Sequence, residues 1–184
     1  MQTLAFTLDQ IPSPIGSMLV VTDAVGQLRA LDWEDYEARL LRLLRLQYPG
    51  RAVELTRGAT PAAISGTLAA YFAGELSGLS TLTLETGGTA FQREVWSALR
   101  EIPAGQTLSY GALATRLGRT GAARAVGLAN GSNPIGIVVP CHRVIGANAS
   151  LTGYGGGMHR KQWLLEHEGV LQERGAQRLV STRR

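Results

Sequence analysis

A polar, glycine-tipped segment from Leu79 to Gly88 splits this 184-residue chain into two parts with different hydrophobic periods. Before it, short apolar runs alternate with a helical pattern. Leu4–Leu8 and Met18–Thr22 have strand character and are separated by the turn formers Pro12, Pro14 and Gly16. Gln27–Trp33 reads as a third strand, entered through Val25-Gly26. Glu34–Tyr48 carries Leu40, Leu43, Leu44 and Tyr48 at helical spacing and stops at Pro49-Gly50. Arg51–Thr56 is a further strand. Thr60-Pro61 opens another helix, with Thr60 as N-cap and Pro61 at its first position, running to about Gly74. Residues 1–88 are thus expected to form an α/β domain. Residues 89–170 are expected to be mainly helical. Thr89 can cap a helix bearing Phe91, Val95, Trp96 and Leu99, and Ser109 can cap Tyr110–Leu117. Gly118 ends that helix, and a second runs from Gly121 to about Asn130. Two short helices around a glycine-containing turn are a helix-turn-helix candidate; a packed internal helix pair has the same pattern. The second helix is rich in small residues, Ala122, Ala123, Ala125 and Ala129, which suit close approach to a groove floor.

Charge follows the same division. Residues 1–88 carry six arginines against nine acids, whereas residues 89–184 carry twelve basic residues against five acids. A basic half fits contact with a polyanion, although a solvated surface with a basic tail over residues 171–184, expected to be mobile, gives the same balance. The apolar stretches are far shorter than the roughly 20 residues that span a bilayer. The N-terminus lacks a basic run followed by an apolar stretch and a cleavage site, so a soluble cytoplasmic protein is expected. A single cysteine, Cys141, excludes an internal disulfide and a multi-cysteine zinc site. It is either a core filler or a reactive thiol.

The segment around that cysteine favours reactivity. An apolar run, Ile135–Val139, leads into Pro140-Cys141-His142-Arg143. Pro140 fixes φ and removes an amide donor just before the thiol. His142 is an available proton acceptor, although neighbours in an extended chain point opposite ways. Glu168 falls at the C-terminal end of a helix that runs from about Gly157 to Gly169, where the helix dipole disfavours a carboxylate. Orienting His142 would explain it; a surface glutamate beside a glycine cap is the alternative.

Pro140-Cys141-His142-Arg143-Val144, with Asn133-Pro134 before it and Gly153-Tyr154-Gly155-Gly156-Gly157 and Lys161–Gly169 after it, closely resembles the O6-alkylguanine-DNA alkyltransferases. The resemblance extends back through Phe91-Gln92, Val95-Trp96, Ile102-Pro103, Ser109-Tyr110 and Ala122–Gly127, covering essentially all of residues 89–170. It implies a ribonuclease-H-like α/β domain, followed by a domain with a winged-helix-like helix-turn-helix.

It also implies the chemistry. An alkyl group, methyl foremost, passes from O6 of guanine in double-stranded DNA to Cys141 in a single turnover, and the damaged nucleotide is flipped out through the minor groove. O4 of thymine is left open as a second substrate. By resemblance, His142 is the base acting through water, Glu168 orients it, and Asn133 braces the turn. Arg124 fills the vacated place in the base stack beside Ala122 and Ala123, and Tyr110 donates toward guanine N3. The carbonyls of Cys141 and Val144 read the guanine amino group, and Tyr154 packs on the base with the amides near Gly155 and Gly156 aimed at O6. Lys161 matches a family lysine near the site. No cofactor, metal, membrane contact or second subunit is expected; relatives with zinc use residues this chain lacks before Cys141. Gly155 departs from a serine common in relatives. A damage-binding module without transfer, and a cysteine hydrolase, are the competing readings.

Overall fold

The structure, a computed structural model, describes residues 3–171. It is a mixed α/β fold. Four strands, β1 (Thr3–Ile11), β2 (Met18–Thr22), β3 (Leu28–Trp33) and β4 (Ala52–Arg57), form one sheet in the order β3-β2-β1-β4. β1 is antiparallel to β2, β2 is antiparallel to β3, and β4 returns parallel to β1. That parallel return requires a crossover, supplied by helix α1 (Glu37–Gln47).

Burial along the strands explains their order. All five residues of β2 are buried, as expected of a strand covered on both faces. Leu19 and Val21 face α1, where they meet Leu40 and Leu44; Met18 and Val20 face the other way. That second face packs on α2 (Ala62–Phe72) through Ile64, Leu68 and Tyr71. It also packs on α3 (Ala90–Arg100) and α5 (Ala123–Gly131), through Val95, Trp96, Leu99, Val126 and Ala129. One apolar layer is therefore shared between the sheet and the helices of the second half.

The outer edge of β3 is covered by backbone from that second half. The Leu31 N–H donates to the Pro134 carbonyl (2.9 Å), and the Gly136 N–H donates to the Leu31 carbonyl (2.8 Å). The segment leading to Cys141 thus extends the sheet.

In the second half, Thr89 caps α3 in a full capping box with Gln92. Ser109 caps α4 (Tyr110–Arg116), and a turn with left-handed glycines at 118 and 121 leads to α5. Two-residue strands, β5 (Leu108–Ser109) and β6 (Val144–Ile145), pair in parallel, and α6 (Met158–His167) ends at Gly169 with φ 77°.

Several boundaries differ from expectation: β1 runs on to Ile11, and α5 begins at Ala123 instead of Gly121. The helix expected over 34–48 opens as a 3-10 turn, Glu34–Tyr36, before α1. α2 begins at Ala62 with Pro61, not Thr60, at the cap. Pro61 is extended (φ −50°, ψ 135°) and so takes the cap position instead of the first helical one, which leaves Thr60 outside, its N–H donating to Asp9 Oδ2 (2.6 Å). The expected basic tail lies outside the described residues, apart from Leu171.

Candidate active site

The approach to Cys141 is a chain of tight turns. The Val138 N–H donates to the Gly136 carbonyl (2.7 Å), closing a γ-turn around Ile137, whose φ is 67°. The Cys141 N–H donates to the Val139 carbonyl (2.8 Å) around Pro140 at φ −81°, ψ 63°, an inverse γ-turn. A β-branched residue with positive φ costs roughly 1–3 kcal/mol and persists only where its surroundings fix it. Asn133 does much of that fixing. Its Oδ1 accepts from the Ile135 N–H (3.0 Å), and its Nδ2 donates to the Val139 carbonyl (2.8 Å).

Cys141, His142 and Arg143 then form one 3-10 turn. The expectation of opposed neighbours in an extended chain does not hold here, because a 3-10 turn rotates successive side chains by about 120°. All three are buried, Cys141 at 8% exposure and His142 at 0%.

His142 and Arg143 converge on Glu168, beyond the last turn of α6. His142 Nε2 lies 2.9 Å from Glu168 Oε1. Arg143 grips both oxygens, Nε to Oε2 and Nη2 to Oε1, each at 2.8 Å. The Tyr71 hydroxyl, from α2, donates to the same Oε1 (2.8 Å). Burial alone would raise the Glu168 pKa, but His142 and Arg143 outweigh it and hold the carboxyl well below its usual range. Burial pushes the His142 pKa down despite Glu168. The imidazole is therefore neutral at neutral pH. Facing a carboxylate, it carries its proton on Nε2, so Nδ1 is the acceptor nitrogen. Nδ1 has no hydrogen-bond partner among the described residues.

Burial also pushes the Cys141 thiol up, opposed by Asn133 and by the charges of Arg39 and Lys161. The resting sulfur is a thiol that needs a base. Lys161 is fully buried; its Nζ donates to the carbonyls of Val144 (2.6 Å) and Thr152 (2.8 Å), and burial lowers its pKa to about 8. The Val144 carbonyl thus already holds one donor. The Cys141 carbonyl accepts the Val144 N–H.

The remaining expected residues sit around this turn. Tyr110, half-buried at the start of α4, lies against α5 where Gly127 leaves room, and burial pushes its phenol pKa up. Tyr154 stands edge-on to His142, with ring centroids 6.5 Å apart. The amides of Gly155 and Gly156 donate to no group among the described residues. A Cβ at Gly156 would overlap the Trp33 indole, which explains glycine there.

The space beside Gly155 is taken by Arg39, whose guanidinium a Cβ would overlap. Arg39 is braced by a bidentate pair with buried Asp32 (2.8 and 2.9 Å). In this chain, a cation from α1 occupies the space that a side chain at position 155 would fill.

On α5, Arg124 and Ala125 are exposed, while Ala122 and Ala123 are half-buried. Ala129 corrects the expected small-residue face: it is 3% exposed, and its carbonyl accepts from Trp96 Nε1 (2.8 Å). The exposed neighbour is Leu128, at 73%. Among the described residues, no helix is long and apolar enough to cross a membrane, and no cluster of three or more His, Cys, Asp or Glu could hold a metal.

Sequence reading missed Tyr71, Arg39 and Asp32. They come from the first half, and no local motif points to them. Arg143 stood inside the quoted motif, but nothing in the spacing tied it to Glu168.

Comparison with known proteins places this geometry. Residues 90–170 match the family described as 6-O-methylguanine DNA methyltransferase, DNA binding domain. A methylated-DNA–protein-cysteine methyltransferase of Salmonella typhimurium is 56% identical over 163 residues, covering 89% of this chain and 95% of the relative. The Mycobacterium tuberculosis protein of that name is 55% identical over 131 residues, covering 70% and 78%. Among solved structures, M. tuberculosis OGT in complex with DNA superposes with a TM-score of 0.70 at 42% identity, covering 90% of this chain and 92% of that one. The O6-methylguanine-DNA methyltransferase of Pyrococcus kodakaraensis gives 0.67 at 26%, covering 90% and 99%. The chain belongs to the methylated-DNA–protein-cysteine methyltransferase family.

Proposed function

We propose that this protein repairs DNA by moving an alkyl group, methyl foremost, from O6 of guanine to Sγ of Cys141 and keeping it there. The carrying observation is the buried turn in which Cys141 is followed by a neutral His142, locked by Glu168 through Nε2 with Nδ1 unengaged. The Cys141 proton passes through water to His142 Nδ1. The sulfur lone pair then forms the S–C bond as the C–O6 bond breaks, and that bond's electron pair stays on the guanine. The base takes up a proton, which balances the one lost by the thiol. A thioether is not hydrolysed by any of these groups, so each chain acts once.

The other roles follow from position. Arg124, exposed on α5, enters the stack where the nucleotide has left; its flat cation suits a site between base pairs and beside phosphates. Tyr110 donates toward N3 and stabilises the leaving guanine. Asn133 braces the turn, Tyr154 packs on the base, and the free amides of Gly155 and Gly156 point toward O6. The carbonyls of Cys141 and Val144 take the amino group, which at the Cys141 oxygen replaces the long 3.5 Å contact from Asn130 Nδ2. Ala122 and Ala123 border the groove, which is about 6 Å wide.

The sheet order, with β4 parallel to β1, supports a ribonuclease-H-like domain over residues 1–88. The α4–α5 pair beside β5 and β6 supports a winged-helix-like DNA-binding and transfer domain over 89–170. We read the protein as a cytoplasmic monomer without cofactor, acting on duplex DNA, with O4 of thymine a lesser substrate.

A titration tests this. Limiting protein mixed with excess O6-methylguanine duplex should remove one lesion per chain and stop. Lesion binding without removal would leave only a damage recogniser, and removal beyond equivalence would mean turnover; either defeats the proposal.

A further inference from the structure

We infer that Tyr71 is a positioning residue for the proton acceptor: its hydroxyl, bound to Glu168 Oε1, sets how strongly that carboxylate holds His142. This rests on the alkyl-transfer reading above and deepens it.

Tyr71 is 0% exposed and lies 97 residues before Glu168, on a helix that otherwise gives the core Ile64 and Leu68. Packing alone would favour phenylalanine, because a buried hydroxyl is costly unless paired. The pairing here is specific. Oε1 receives Tyr71 (2.8 Å), His142 Nε2 (2.9 Å) and Arg143 Nη2 (2.8 Å), while Oε2 receives Arg143 Nε (2.8 Å). Three donors therefore share the oxygen that faces the imidazole. The Tyr71 carbonyl also accepts from His167 Nε2 (2.7 Å), so one residue of α2 holds two successive residues at the end of α6.

The electrostatic consequence has a sign. A phenol proton on Oε1 withdraws charge from the His142 N–H···O contact. Removing it leaves a more basic oxygen, which stabilises the imidazolium more. The groups around His142 are Glu168, which favours its charged form, Arg143 and Lys161, which oppose it, and Tyr154, edge-on to the ring. None of these is altered in Tyr71→Phe, and the ring still fills its place.

The test combines two readouts. Transfer needs neutral His142, so the transfer rate should fall on the acid side as the imidazole protonates. In Tyr71→Phe, that midpoint should move to higher pH by about half a unit or more. Independently, histidine NMR titration of the unreacted protein, which has three histidines, should show His142 shifted up. A folded Tyr71→Phe with neither shift overturns the inference. A purely structural role would instead lower the melting temperature and scale the rate equally at every pH. Site-specific difluorotyrosine at position 71, a stronger donor of the same shape, should shift His142 down; an upward shift or none overturns the inference, even if Tyr71→Phe does not fold. If no alkyl transfer occurs at all, the transfer reading fails, while the NMR titration still decides the role of Tyr71.

Discussion

Glu168→Gln should destabilise this protein severely, and the structure gives the reason. The Glu168 side chain is fully buried, and Arg143, at 8% side-chain exposure, is paired with it through two 2.8 Å contacts. Among the described residues, Arg143 has one other acceptor, the Ile102 carbonyl. Glutamine keeps the shape but removes the charge and places an amide against guanidinium donors. Breaking a buried pair by neutralising one partner costs about 3–5 kcal/mol. For a chain of this size, about 2–4 °C is lost per kcal/mol, so the melting temperature should fall by roughly 6–20 °C. Calorimetry at pH 7 reads this directly. The pH dependence adds a second check. The Glu168 pKa is lower folded than unfolded, so its contribution is full above the unfolded value of about 4.3 and is lost as pH falls below it. The Glu168 carboxylate's share of the gap between wild type and variant should be lost in stronger acid, below the unfolded carboxyl range. Arg143→Met added to Glu168→Gln should recover part of the loss, because the stranded cation is gone. A loss under about 1 kcal/mol, or a double variant worse than the sum of the two singles, would refute the reasoning.

Further outcomes follow from the same geometry. Arg124→Ala should leave stability within about 0.5 kcal/mol, since the side chain is exposed, yet slow transfer from duplex roughly 10- to 100-fold because flipping loses its support; melting curves and single-turnover rates check both. His142 is held neutral in the fold, so wild-type stability should fall as pH drops below about 6.5, by at most about 1.4 kcal/mol per unit; melting curves of His142→Asn should lack that slope. Asn133→Ala strands the Ile135 N–H, at roughly 1–3 kcal/mol, and leaves the Val139 carbonyl with the Cys141 N–H alone; denaturant unfolding should show the loss.

Legibility in the sequence followed locality. Thr89 and Ser109 announced their helices because a cap is a short-range bond; Thr60 misled because its N–H is tied to Asp9, far back in the chain, and Pro61 stays extended at the cap. The meeting of His142 with Glu168 was readable because a carboxylate at a helix C-terminus is out of place unless something holds it. Tyr71 was invisible, because nothing near it in sequence marks its hydroxyl as bound to a residue far along the chain. Arg39 was equally hidden: one arginine among several on α1, it is singled out only when the fold lays α1 beside Gly155. Ala129 was misjudged because small residues suit both a groove and a close-packed interior.

Intact-mass spectrometry with peptide mapping, after reaction with O6-methylguanine duplex, tests the central claim most directly. The expected spectrum has a single added methyl, carried by the peptide containing Cys141 and missing in Cys141→Ala. An unmodified chain that has nonetheless bound the lesion, or a methyl on any other residue, would contradict it.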